Sequence, residues 1–179
     1  GTSDTLAISL NSGFGTYPQS LCPYNEVKKG FSETLRYYSD YRLKDYSEIS
    51  NNKDTLKSKI VSNGAVTVHY PSITDCYSSD YANYYSDNTC IGIGDSHLIV
   101  VVGWDDNYSK DNFTGKVKPS NDGAWLCKNS WGEHYGNDGY IWISYDTTNL
   151  SFSQYIMQGN NAYDNEYQNC FVTQGYGYN

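Results

Sequence analysis

The segment Trp125-Leu-Cys-Lys-Asn-Ser-Trp-Gly132 places a carboxamide, Asn129, directly before a Ser-Trp-Gly turn. A carboxamide oxygen accepts a hydrogen bond from an imidazole N–H, which fixes the tautomer and the orientation of a histidine ring without adding negative charge. The indole of Trp131 beside such a bond would keep water from competing for it. The segment therefore predicts a histidine partner for Asn129.

His97 has the context that such a partner requires. It begins the apolar run in Asp95-Ser-His-Leu-Ile-Val-Val-Val-Gly-Trp104. A ring at the mouth of a strand can be fixed by packing while one nitrogen faces a cleft, as a general base near neutral pH requires. An isolated histidine of this kind is more often a structural imidazole. The Asn129 segment, 32 residues later, favours the catalytic interpretation.

Together these segments resemble the papain family of cysteine peptidases. The resemblance rests on Ser96-His97, on Gly103-Trp104 at the end of the apolar run, on Lys128-Asn-Ser-Trp-Gly132 and on Gly136-x-x-Gly139-Tyr140. Tyr135 stands where the family usually has tryptophan.

Upstream, Tyr17–Tyr24 and Leu56–Val68 are similar to family segments in the same order, with Ala65 in place of the usual proline. The resemblance covers roughly residues 1–155.

The resemblance implies roles for the residues of these motifs. His97 would be the general base and acid, and Asn129 would orient it. Trp131, Ser130 and Gly132 would support the site. The implied reaction is peptide-bond hydrolysis through a thioester acyl-enzyme, with a protein or peptide as substrate and without a cofactor or metal.

The pattern of residues predicts an α+β chain. We expect a helix over 52–61, strands over 65–70, 98–104, 123–128 and 139–145, and a long loop over 71–95. The strand at 98–104 is expected to be buried on both faces.

On the papain-like scheme, residues 1–64, with a short helix over 5–10, are a remnant of the helical lobe. Residues 65–159 form the antiparallel β-lobe that carries the site, and 160–179 are an edge segment or a linker to a removed module.

The nucleophile of the family is not evident in the sequence. In the family it lies in a Gln-x(5)-Cys-Trp element about 130 residues before the histidine, and the chain contains no such element. Cys22 follows Gln19 by only three residues and precedes a proline, so it is a weak candidate. We expect the nucleophile on a missing N-terminal segment, and we expect this chain alone to be inactive.

The roles of the cysteines and of the other two histidines remain open at this point. Cys76 and Cys90 flank a polar loop and either form a disulfide or remain thiols, while the five cysteines show no paired spacing typical of zinc. His134 lies in the Gly132–Gly139 loop and is a weaker candidate for a substrate contact, and His69 is expected to be a partly exposed sheet residue.

Composition excludes some function classes. The net charge of −8 argues against a nucleic-acid surface, and no apolar run is long enough to span a membrane. Trp104-Asp-Asp106 and the tail Tyr163–Tyr167 are similar to bacterial surface-associated members of the family, which implies an extracellular or cell-surface location. The alternative to a peptidase is a non-catalytic binding protein on the same scaffold.

Overall fold

The computed structural model describes residues 40–159, together with residues 10, 16 and 20. Helix α1 lies at Lys53–Asn63. The strands are β1 Tyr41–Ile49, β2 Val66–Ile73, β3 Tyr77–Ser78, β4 Asn83–Tyr84, β5 Gly94–Asp105, β6 Ala124–Lys128, β7 Tyr140–Ser144 and β8 Ser151–Gly159. Short 3-10 turns lie at Thr74–Cys76 and Lys110–Asn112.

Helix α1 begins and ends at residues that satisfy its free backbone groups. The side chain of Asn52 accepts a hydrogen bond from the Thr55 N–H at 2.9 Å, which caps the N-terminus. At the other end Gly64 adopts a φ of +88° and donates its N–H to the Ile60 carbonyl at 3.0 Å, a conformation that favours glycine. Leu56 is buried in the core. The predicted helix is confirmed.

Residues 47–154 form one compact unit, in which the strand order is β8-β2-β5-β6-β7-β4-β3. Strand β2 pairs antiparallel with β5, from Val66 opposite Val101 to Ile73 opposite Gly94. Strands β5, β6 and β7 continue the antiparallel pairing, while β4 pairs with β7 in parallel. The predicted α+β class with a mainly antiparallel sheet is confirmed.

Residues 1–46 and 155–179 belong to a second unit, whose described strand segments are the first part of β1 and the last part of β8. Strand β1 follows β8 in the strand order. The helix expected over 5–10 falls mostly outside the described residues, as does the whole of 160–179. The predicted division at 64 and 159 remains a prediction.

Burial on β5 corrects one expectation. Ile99 and Val101 are buried, but the intervening Val100 is only partly buried and Val102 is 38% exposed. The prediction that this strand is buried on both faces was wrong, because an antiparallel sheet can turn one face to the core and leave the alternate side chains on a more open face.

Two other expectations need correction. The predicted loop over 71–95 contains the end of β2, the start of β5 and the short pair β3–β4. Pairing between β2 and β5 extends both strands into this polar stretch, where the side chains gave no strand pattern. Strands β1 and β8 were not anticipated, since their tyrosines and polar residues do not alternate clearly with apolar ones.

A disulfide closes the loop that β3 and β4 span. Cys76 and Cys90, 14 residues apart, are bonded to each other, and both are buried. Of the two alternatives left open by the sequence, the structure selects the disulfide.

Removing this disulfide should destabilise the fold. For a loop of this length, Cys76→Ala/Cys90→Ala should lower the free energy of unfolding by about 3 kcal/mol, because the unfolded chain regains the entropy that the cross-link removes. Urea unfolding with and without a phosphine reductant measures the effect. The reductant should lower the midpoint of the wild type and leave that of the double variant unchanged. Equal midpoints for both proteins without reductant would contradict the prediction.

Candidate active site

His97 is positioned by the pairing of β5 with β2. It lies opposite Tyr70, and the two rings meet edge to face with their centroids 5.8 Å apart. Tyr70 is almost completely buried, and burial raises the pKa of its phenol, so the ring is a neutral, fixed support at neutral pH. One side of the imidazole is thus packed against the core.

Asn129 follows the last residue of β6 and reaches the imidazole from the neighbouring strand. Its backbone N–H donates to the Gly139 carbonyl at 2.9 Å, and its side chain is buried. The Nε2–H of His97 donates to the Asn129 Oδ1 at 2.9 Å. The same oxygen accepts the backbone N–H of Ser130 at 2.7 Å.

These two hydrogen bonds fix the tautomer of His97. The Ser130 N–H can only donate, so it requires the oxygen, and not the nitrogen, of the carboxamide to face the ring. The oxygen then accepts from Nε2, which must carry the proton. Nδ1 is left with a lone pair, the arrangement that a general base requires.

Trp131 covers the imidazole on its second side. The indole and imidazole rings are nearly parallel, at 16°, with their centroids 4.4 Å apart. Trp131 is 49% exposed, so one face of the indole meets solvent while the other excludes water from the ring of His97. Gly132 turns the chain directly afterwards, with a φ of +89° that a side chain would strain.

A cleft opens beside this histidine. Its volume is about 460 Å³, within the usual range for ligand pockets. It is lined by Ser72, Thr74, Ile93, Gly94, Asp95, Ser96, His97 and Trp131. An extended chain lying here would pass beside the imidazole and the indole.

Comparison with known sequences identifies the family. The family model described as "Papain family cysteine protease" matches residues 6–162. The chain belongs to the papain family. The chain is 31% identical over 134 residues to procathepsin L from Rattus norvegicus, an alignment that covers 71% of this chain and 35% of that protein. It is 27% identical over 123 residues to Testin-2 from Mus musculus, covering 67% of this chain and 34% of that protein.

Solved structures support the same fold for this papain-family chain. The cysteine protease and lectin-like domains of Cwp84, a surface layer associated protein of Clostridium difficile, give a TM-score of 0.76 at 29% identity, covering 90% of this chain and 37% of that one. Xylellain, a cysteine protease from Xylella fastidiosa, gives 0.63 at 16% identity, covering 87% of this chain and 62% of that one, and so shows the fold alone. The chain spans about a third of the length of these curated relatives and of Cwp84. The fold is papain-like.

The described cysteines of this papain-family chain offer no nucleophile. Cys76 and Cys90 are joined in the disulfide, and Cys127 is fully buried on β6. Burial raises the pKa of the Cys127 thiol, which suppresses the thiolate that nucleophilic attack requires. Cys22 lies outside the described residues.

The other two histidines have polar partners other than His97 and Asn129. The side chain of His134 is 96% exposed, with its Nε2 3.8 Å from the Glu133 carboxylate, and it does not line the cleft. His69 is half-buried, and its Nε2 is hydrogen-bonded to the hydroxyl of Ser96. The expectation of a partly exposed sheet histidine at position 69 is confirmed.

Sequence reasoning missed two features of the site. Tyr70, the support beneath His97, belongs to a predicted strand, but no sequence signal gives the register that places it opposite the histidine. Asp95 stands two residues before His97, yet its place in the wall of the cleft depends on the pairing of β2 with β5. Within the described residues, no group of three or more His, Cys, Asp or Glu is placed to hold a metal.

We expect the thiol of Cys127 to be unreactive in the folded protein. Because burial raises its pKa, the thiolate stays scarce as the pH rises through roughly 7 to 9, and alkylation should be at least ~100-fold slower than in the denatured chain. Iodoacetamide labelling at about pH 8, followed by digestion and mass spectrometry, measures this at Cys127 alone. Similar labelling rates in folded and denatured protein would contradict the assignment of Cys127 as a core residue.

Proposed function

We propose that the protein is a cysteine-type peptidase in which His97 is the general base and acid and Asn129 orients it. The single observation that carries the proposal is the 2.9 Å hydrogen bond from His97 Nε2 to Asn129 Oδ1 beneath the Trp131 indole. It leaves the lone pair on Nδ1, and His97 lines the cleft. Membership of the papain family supports peptides or proteins as substrates.

Each proton of the proposed reaction has a donor and an acceptor. Nδ1 takes the proton of a cysteine thiol, and the resulting thiolate attacks the carbonyl carbon of the scissile peptide bond. The imidazolium returns that proton to the leaving amine as the peptide bond breaks, which leaves a thioester. Nδ1 then removes a proton from water, the hydroxyl attacks the thioester, and the proton returns to the sulfur. Asn129 holds the ring through every step because its oxygen accepts Nε2–H in both protonation states.

The nucleophile is proposed to lie outside the described residues. The three described cysteines are bonded or buried, so the thiolate that Nδ1 serves must come from another part of the protein. We propose a Gln-x(5)-Cys-Trp element on an N-terminal peptidase segment that packs against this chain. Trp131, Ser130 and Gly132 would support the completed site, the first by covering His97 and the second by its N–H on Asn129.

We further propose an extracellular or cell-surface location. The disulfide between Cys76 and Cys90 would persist outside a reducing cytosol. Cwp84, which is similar over 90% of this chain, is described as a surface layer associated protein of a bacterium. Among the described residues, no helix combines the length and apolar character needed to cross a membrane. Finding the Cys76 and Cys90 thiols reduced in the protein isolated from its cells would contradict this location.

The His97 proposal predicts a large loss of activity on substitution. In the full-length protein, His97→Ala should lower kcat/KM for a peptide substrate by about 10²–10⁴, the usual contribution of general acid–base catalysis. It should also slow labelling of the nucleophile by a thiol-directed epoxide. His134→Ala is the matched control, because that side chain is exposed and outside the cleft, and it should retain most of the activity.

The same experiment separates the peptidase from the second candidate function, a non-catalytic binding protein. That alternative rests on the lack of a reactive cysteine among the described residues. It requires Ser, Gly or Ala in place of the nucleophile in the full-length protein. Absence of any epoxide labelling in the intact wild-type protein would favour the binding protein and overturn the peptidase.

A further inference from the structure

A row of aromatic rings leads from the disulfide loop to the imidazole of His97. Tyr77 stacks on Tyr135, with ring centroids 5.4 Å apart and planes 22° apart. Tyr135 meets Trp131 edge to face at 4.6 Å, and Trp131 in turn lies over His97. Each pair falls within the 4.5–7 Å range of favourable aromatic contacts or close to it.

The Tyr77 end of this row is firmly held. The preceding residue, Cys76, is bonded to Cys90 and buried. Tyr77 itself pairs with Tyr84 across β3 and β4, and Tyr84 is buried against Tyr70, at 4.9 Å between ring centroids. The row therefore begins at a tyrosine that packs against the core.

The Trp131 end has less support of its own. Trp131 lies in the turn between β6 and β7, where Ser130, Gly132, Glu133 and His134 are all exposed. A side-chain carbon placed at Gly132 would find open space around it. The described ring contacts of the indole are with His97 and Tyr135. The position of the indole over the imidazole thus depends strongly on Tyr135.

We propose that Tyr77 is a positioning residue, which holds Tyr135 against Trp131 and so keeps the indole over the hydrogen bond between His97 and Asn129. Burial raises the pKa of both tyrosines, so the row stays neutral at neutral pH. Only the catalytic consequence of this role rests on the proposed peptidase function. The effect on the His97 hydrogen bond does not require catalysis.

The test follows the Nε2 proton of His97 by NMR in protein labelled with ¹⁵N-histidine. With only three histidines in the chain, the His97 signal is assigned by its loss in His97→Ala. Tyr77→Leu should raise the rate of solvent exchange of this proton about two- to tenfold, the change expected from loss of one aromatic pair. Tyr135→Leu should raise it at least as much, and Tyr77→Phe, which keeps the ring, should restore a rate close to the wild type.

Tyr81→Leu is the matched control. It makes the same substitution in the same disulfide-closed loop, but Tyr81 is 49% exposed and outside the row of rings. Its exchange rate should equal that of the wild type. Asn129→Ala, which removes the acceptor, gives the rate expected when the hydrogen bond is lost altogether.

The exchange rates decide the proposal independently of peptidase activity. A raised rate in Tyr77→Leu with a normal rate in Tyr77→Phe and Tyr81→Leu supports it, even if the full-length protein hydrolyses no peptide. An unchanged rate in Tyr77→Leu overturns it, even if the full-length protein is an active peptidase. A raised rate in Tyr81→Leu equal to that in Tyr77→Leu also overturns it, because the effect would then belong to the loop as a whole.

Discussion

The hydrogen bond between His97 and Asn129 is the constraint on which the proposed chemistry depends. It joins His97, near the start of β5, to Asn129, the residue after β6. These two strands pair with each other at five positions. The bond has a direction as well as a length. The Ser130 N–H fixes the carboxamide oxygen toward the ring, and this places the proton of His97 on Nε2 and the lone pair on Nδ1. The position of the proton on the imidazole therefore follows from a backbone donor one residue after the asparagine.

Burial on both sides of the imidazole protects this arrangement. Tyr70 supports the ring from the core, and Trp131 covers it from the side of the solvent. An exposed neutral hydrogen bond contributes little net stability, because water replaces either partner readily. Between the rings of Tyr70 and Trp131, replacement of the Asn129 oxygen by water is disfavoured, so the imidazole keeps one orientation. The sheet thereby holds the imidazole in the orientation that the proposed general base requires.

The three described cysteines lie in two environments, one a buried free thiol and the other a disulfide. Cys127 faces the core between β5 and β7, and burial keeps it a neutral thiol. Cys76 and Cys90 instead cross-link a loop that buries Tyr84 and Tyr85. This loop carries Tyr77 and β3 at one end of the sheet. The disulfide holds Tyr77 in place more firmly than the two-residue strands β3 and β4 would alone.

The sequence by itself determined the residues of the candidate site and the class of fold. Lys128-Asn-Ser-Trp-Gly132 and Ser96-His97 indicated the papain-like scheme. Helix α1 was predicted from the helical spacing of Leu56, Ile60 and Val61 and from the Asn63-Gly64 stop, because periodicity and turn residues act locally. Only the tertiary structure decided the support beneath His97, the pairing of Cys76 with Cys90 and the row of rings from Tyr77 to Trp131. Strand register, loop closure and ring stacking join residues far apart in the chain. No local propensity specifies them, since their geometry exists only once β2, β5 and β6 have paired.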